Sequence, residues 1–178
     1  MTLKSKKRKP EAMKPDGKLV RTFILRFLAI IGGLILVTFI PGWDGFVHWY
    51  MTSLGVMVNA LLHLLGEPTR LAGENVFSDA FNLELAPHCG ALHVLQFFGA
   101  TVLAFPASAT QRIVGVLAGF SCIVLLNLLR LVTVYLAGAH WPARVQALHE
   151  ELWPVLLIMG TVILCATWVG WVGGRRAR

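Results

Sequence analysis

Three side chains of rare type stand at intervals along an otherwise apolar chain: Cys89 at the start of one hydrophobic segment, Arg130 within the next, and His149 just before the last. A thiol, a permanent cation and an imidazole are the parts cysteine acyl transfer requires: a nucleophile, a group to hold a developing oxyanion, and a proton carrier. Cys89 follows Pro87 and His88 at a helix start near water, where a helix N-terminus and a nearby cation favour the attacking thiolate. Cys122 and Cys165 fall inside apolar runs, where a thiol behaves as a small hydrophobe. With one cysteine near the oxidising face, a structural disulfide is not expected.

Arg130 lies in Asn127-Leu-Leu-Arg130-Leu-Val-Thr133, about 10 Å from the outer end of its apolar run at helical rise. An arginine at that depth costs roughly 2.5 to 3.5 kcal/mol on insertion scales and usually faces a polar cavity or a partner. The bland alternatives are snorkelling to the interface and pairing with an acidic residue. Asn127 and Thr133 stand three residues to either side, share its helix face and are placed to orient the guanidinium. His149 occurs in Leu148-His149-Glu150-Glu151-Leu152-Trp153-Pro154, where Pro154 suits a first helical turn and the carboxylates suit its positive end. An imidazole there can shuttle protons near neutral pH. All six histidines (His48, His63, His88, His93, His140 and His149) map to the outer half, more than one catalytic triad needs.

The elements that position these groups must be membrane helices. With 56% hydrophobic and 14% charged residues and a mean hydropathy of +0.68, the chain cannot cover itself with an ordinary aqueous surface. The expected fold class is all-α integral membrane: four transmembrane helices plus one re-entrant or interfacial amphipathic helix, both termini cytoplasmic. Apolar runs of spanning length occupy 22–40, 90–105, 113–137 and 152–172. The fifth segment, 45–65, carries His48, Asn59 and His63 and is led by Trp43, Trp49 and Tyr50, an interfacial composition.

Basic residues set the orientation. Lys4, Lys6, Lys7, Arg8, Lys9, Lys14, Lys18 and Arg21 precede the first run, and Arg175, Arg176 and Arg178 follow the last, so both ends belong in the cytoplasm. An even number of crossings follows, with 45–65 returning to the side it left. Arg112 then falls in an inner loop, while the acidic stretch 42–88 and the connection holding Arg144, Glu150 and Glu151 fall outside. The domain reading is a basic cytoplasmic tail (1–21), a single transmembrane helical domain (22–172) with an outer-face loop (66–88), and a second basic tail (173–178). The net charge of +7 is explained by topogenic tails beside anionic lipid, so no nucleic-acid partner is expected. No Ala-x-Ala-like site follows Ile40, and the first run is expected to remain as an anchor.

The stretch 87–157 resembles the exosortase and archaeosortase family, membrane-embedded transpeptidases with a cysteine beginning one helix, Asn-x-x-Arg in the next and a histidine heading the one after. Here the motifs read His88-Cys89-Gly90, Asn127-Leu-Leu-Arg130 and His149. Ala104-Phe-Pro-Ala107, Tyr135-Leu-Ala-Gly138 and Leu152-Trp153 are most similar to the short exosortase H subclass. One departure stands out: family members show Cys-Ser-Gly or Cys-Asn-Gly, whereas this chain has Cys89-Gly90-Ala91. His93, four residues beyond Cys89 on the same helical face, or His88 is placed to replace the missing polar group.

The resemblance implies a multi-pass enzyme of the bacterial cytoplasmic (inner) membrane with its site facing the periplasm. It implies Cys89 as nucleophile, Arg130 as oxyanion stabiliser and His149 as proton carrier, acting through a thioester and needing no cofactor. Its substrates would be exported proteins whose C-terminal signal carries a short motif of the Ile-Pro-Thr-Leu-x-x-Trp-Gly kind, a transmembrane helix and a basic tail. Two other classes compete. A metal- or haem-binding membrane protein would use the outer histidines beside Cys89, but Cys-x-x-Cys-His, an intraspan His-x-x-x-His and paired intramembrane carboxylates are missing. A non-catalytic assembly subunit would pair Arg130 with another chain's acidic residue and would tolerate Arg130→Lys.

Overall fold

The computed structural model describes residues 17–176, without the side chains of His88 and Arg176. Most of the first basic tail and the last two residues of the second lie outside the described residues. The chain runs through α1 (Gly17–Val37), α2 (Trp43–Leu64), β1 (Arg70–Ala72), β2 (Asn75–Phe77), β3 (Asn82–Glu84), a 3₁₀ turn at Pro87–Gly90, α3 (Leu92–Ala104) and α4 (Ala109–His140). A 3₁₀ turn at Pro142–Arg144 and a π-helical turn at Ala147–Leu152 lead into α5 (Trp153–Arg176).

Among the described residues, three helical stretches are long and apolar enough to cross a membrane: Gly17–Val37, Ala109–His140 and Pro142–Arg175. The apolar run 90–105, expected as a fourth, forms only the 13 residues of α3, about 20 Å against a hydrocarbon core of about 30 Å. Its ends are set locally. Ala91 adopts a left-handed conformation that separates the 3₁₀ turn from α3, and Phe105 is extended, as a residue before proline tends to be. At 32 residues α4 starts earlier than expected, because Ser108 and Gln111 form a reciprocal capping box. Arg112 therefore lies in the first turn of α4 and donates to the Phe105 carbonyl at 3.3 Å.

The apolar interior has two parts. Leu95, Phe98 and Val102 of α3 meet Ile123 of α4 and Trp168 and Val172 of α5 in one cluster. The other gathers Met51, Leu54, Val58 and Leu62 of α2, Val76, Leu83 and Leu85 of the loop 66–88, and Leu128, Leu131, Val134 and Tyr135 of α4 around Cys89 and Trp153. By contrast α1 contributes no buried residue. It touches the bundle through edge contacts of Phe23 with Phe105 and Phe27 with Phe97, leaving Leu25, Leu28 and Leu36 exposed.

The loop 66–88 adds to the helical fold a three-stranded antiparallel meander, ordered β1-β2-β3. Val76 pairs with Leu71 on one side and Leu83 on the other. Strands of three residues are too short to show a period of two, which is why the loop gave no strand signal. Several bonds tie it to α2 and α4. His48 Nδ1 pairs with Glu74 Oε1 at 2.8 Å and His140 Nε2 with Glu67 Oε1 at 2.7 Å. His63 Nε2 meets the Thr69 carbonyl at 2.8 Å, and the Thr69 hydroxyl donates to Asn59 Oδ1 at 2.8 Å. The Tyr135 hydroxyl donates to Ser78 Oγ at 2.6 Å. Phe81 lies so close over Gly138 that any β-carbon there would strike its ring. Three of the six histidines are thus accounted for by bonds that hold this loop.

Candidate active site

Cys89 sits in the 3₁₀ turn between the sheet and α3, its N–H donating to the Ala86 carbonyl at 2.7 Å. The residue after it is tightly packed: a β-carbon on Gly90 would overlap the Met51 methyl and press on the Tyr50 ring, so both would have to shift. The Tyr50 hydroxyl donates to the Gly90 carbonyl at 2.9 Å. The turn is therefore held from α2 by a phenol, at the position where the family resemblance leads one to expect a serine or asparagine. Ala91 follows with φ of 54°, a left-handed conformation costly for a residue with a β-carbon. Tyr50 read in the sequence only as an interfacial aromatic.

Arg130 enters from α4 and His149 from the π-helical turn, a form of backbone often found at functional sites. Arg130 Nη2 lies 3.2 Å from His149 Nε2, and Cys89 Sγ lies 4.0 Å from the same nitrogen. The three residues that the sequence singled out come together. Because a guanidinium only donates, Nε2 offers its lone pair to Arg130, which assigns the ring proton to Nδ1. That lone pair is shared between the arginine N–H and the neighbouring thiol. Cys89 is 4% and Arg130 6% exposed, so both work out of bulk water. Burial pushes the Cys89 thiol up; the Arg130 charge and the backbone bond at Ala86 pull against it, while Glu84 adds to the rise. The thiol rests protonated at neutral pH.

The expected supporting residues are placed differently. Thr133 donates its hydroxyl to the carbonyls of Leu129 at 2.8 Å and Arg130 at 2.9 Å, within its own helix, and not to the guanidinium. Asn127 is fully buried at 0% exposure, and neither carboxamide atom has a hydrogen-bond partner; Arg130 Nε and Trp153 Nε1 are likewise unpartnered. His93 lines an apolar groove of about 310 Å³ between α3 and α5 with Val94, Phe97, Ile158, Thr161 and Val162. The His88 side chain lies outside the described residues. Cys122 is exposed on α4 and Cys165 partly buried on α5, and both are free. Among the described residues, no three or more His, Cys, Asp or Glu side chains are grouped so as to hold a metal ion.

A thiol, an imidazole and a guanidinium brought together among apolar helices supply the nucleophile, the proton carrier and the oxyanion donor that acyl transfer uses. The family model of the transmembrane exosortases (Exosortase_EpsH) matches residues 19–167, a span that takes in all three groups. The chain belongs to that family, which is one of transmembrane transpeptidases. Comparison with curated proteins and with solved structures gave no match.

Proposed function

We propose that this protein is a cysteine transpeptidase that cuts the C-terminal sorting signals of exported proteins and transfers the released acyl group to an acceptor. The reading rests on the chain of contacts from Cys89 Sγ to His149 Nε2 at 4.0 Å and from that nitrogen to Arg130 Nη2 at 3.2 Å. Cys89 gives its proton to Nε2 as the guanidinium releases that lone pair and turns toward sulfur. The thiolate adds to the carbonyl carbon of the scissile peptide bond, and the resulting oxyanion takes the Arg130 N–H donors. His149 passes the proton to the departing amine nitrogen as the carbon–nitrogen bond breaks, leaving a thioester on Cys89. The acceptor nucleophile then adds to the thioester carbonyl while His149 takes its proton. Collapse expels the Cys89 sulfur, which recovers the proton.

In this reading residues 22–172 form one transmembrane domain with four crossings, α3 making the shortest and Cys89 standing just beyond its outer end. Both basic tails lie in the cytoplasm, and the site opens to the periplasmic side of the bacterial inner membrane. The substrate is a protein ending in a short motif of the Ile-Pro-Thr-Leu-x-x-Trp-Gly kind, a transmembrane helix and a basic tail. Co-expression with a reporter carrying such a segment tests the reading. Wild type shortens the reporter, and Cys89→Ala leaves it full length; shortening by the Cys89→Ala protein contradicts the proposal.

A further inference from the structure

Trp153 is the first residue of α5 and stands four positions after His149, on the same side of the chain as it leaves the π-helical turn. Its side chain is 5% exposed and packs in the buried cluster that contains Cys89. The indole Nε1 nevertheless has no hydrogen-bond partner. A buried tryptophan N–H usually finds one, and an unpaired buried donor destabilises the fold in a way that a phenylalanine in the same space would not. The donor is of use when something arrives to accept it. Trp153 packs in the same buried cluster as Cys89, so a peptide drawn in to the thiol comes to the neighbourhood of the indole. The acceptors a peptide carries into such a site are its main-chain carbonyl oxygens.

We infer that the Trp153 indole N–H donates to a main-chain carbonyl of the substrate next to the scissile bond, making Trp153 a substrate-binding residue of this site. The inference rests on the proposed transpeptidase reading. A hydrogen bond made equally in the ground state and the transition state lowers KM without altering kcat. The reading also gives Trp153 a signature opposite to that of a packing residue, because loss of the N–H alone should weaken substrate binding while relieving the fold of an unpaired donor.

The test uses the purified full chain in detergent, with the sorting-segment reporter as substrate. Trp153→Phe is compared with replacement of Trp153 by 3-benzothienylalanine, which keeps the ring shape and exchanges N–H for sulfur. Expected for the sulfur analogue are a KM about three- to tenfold higher, an unchanged kcat and a melting temperature no lower than wild type; Trp153→Phe raises KM at least as much. An unchanged KM in the analogue, with processing still abolished by Cys89→Ala, overturns this inference and leaves the functional reading standing. A raised KM in Trp153→Phe alone also overturns it, since ring volume would then be the cause. Processing by Cys89→Ala overturns both.

Discussion

Arg130 Nη2 and Cys89 Sγ meet at one atom, His149 Nε2, at 3.2 and 4.0 Å. A cation that only donates is thus set against the nitrogen that, in the proposed mechanism, accepts the thiol proton. In that mechanism the guanidinium leaves Nε2 as the thiol gives up its proton, which couples two events that are separate in a simple cysteine–histidine pair.

This coupling depends on the planar, forked guanidinium. Arg130→Lys keeps the charge but presents a compact ammonium that cannot contact His149 Nε2 and an oxyanion in the same geometry. The expected outcome is a loss of about 10² to 10³ in kcat at wild-type protein level, measured by reporter processing alongside quantitative immunoblotting. Near-normal processing by the lysine variant would instead point to a structural ion pair with another chain.

The Cys89 thiol sits above its ordinary range because burial raises it, with Arg130 as the main opposing influence. A raised value means the reactive thiolate is scarce at neutral pH and grows as pH rises. Alkylation of Cys89 by iodoacetamide, followed by mass spectrometry in a Cys122→Ser, Cys165→Ser background, should accelerate with pH through a midpoint above that of a free cysteine. Arg130→Gln removes the favourable charge, so its midpoint should move higher still. A midpoint that falls on removal of Arg130 would contradict the electrostatic assignment.

The close packing around Gly90, after Cys89, has measurable consequences. Gly90→Ser should push against Met51 and Tyr50 and destabilise the turn, while Ala91→Gly should stabilise by about 1 kcal/mol by relieving the left-handed residue. Tyr50→Phe, which leaves the Gly90 carbonyl without its donor, should cost about 0.5 to 1.5 kcal/mol. Thermal unfolding in detergent ranks the three; Gly90→Ser more stable than wild type would show that the close packing of α2 on this turn is wrong.

Much of this was legible beforehand, for identifiable reasons. Cys89, Arg130 and His149 stood out because charged and nucleophilic side chains are costly among apolar runs, and the longest runs marked α1, α4 and α5. The shortness of α3 was not legible, since hydropathy continues across the left-handed Ala91 that interrupts the helix. The π-helical turn at Ala147–Leu152 has no compositional mark. Tyr50 holds the Gly90 carbonyl through a single phenol oxygen and Trp153 buries a single unpartnered N–H, both on rings whose sequence signal is hydrophobic. Thr133 shares the face of Arg130 as periodicity required, yet its hydroxyl satisfies its own helix, a competition that spacing alone does not resolve.

The central claim is an acyl group carried on one sulfur. Wild-type protein trapped with the sorting-segment reporter and analysed by intact-mass and peptide-level mass spectrometry should carry the reporter's new C-terminus on Cys89 as a hydroxylamine-labile adduct, with Cys122 and Cys165 unmodified. Shortened reporter produced without any such adduct, or with an adduct of the same kind on Cys122 or Cys165, would contradict it.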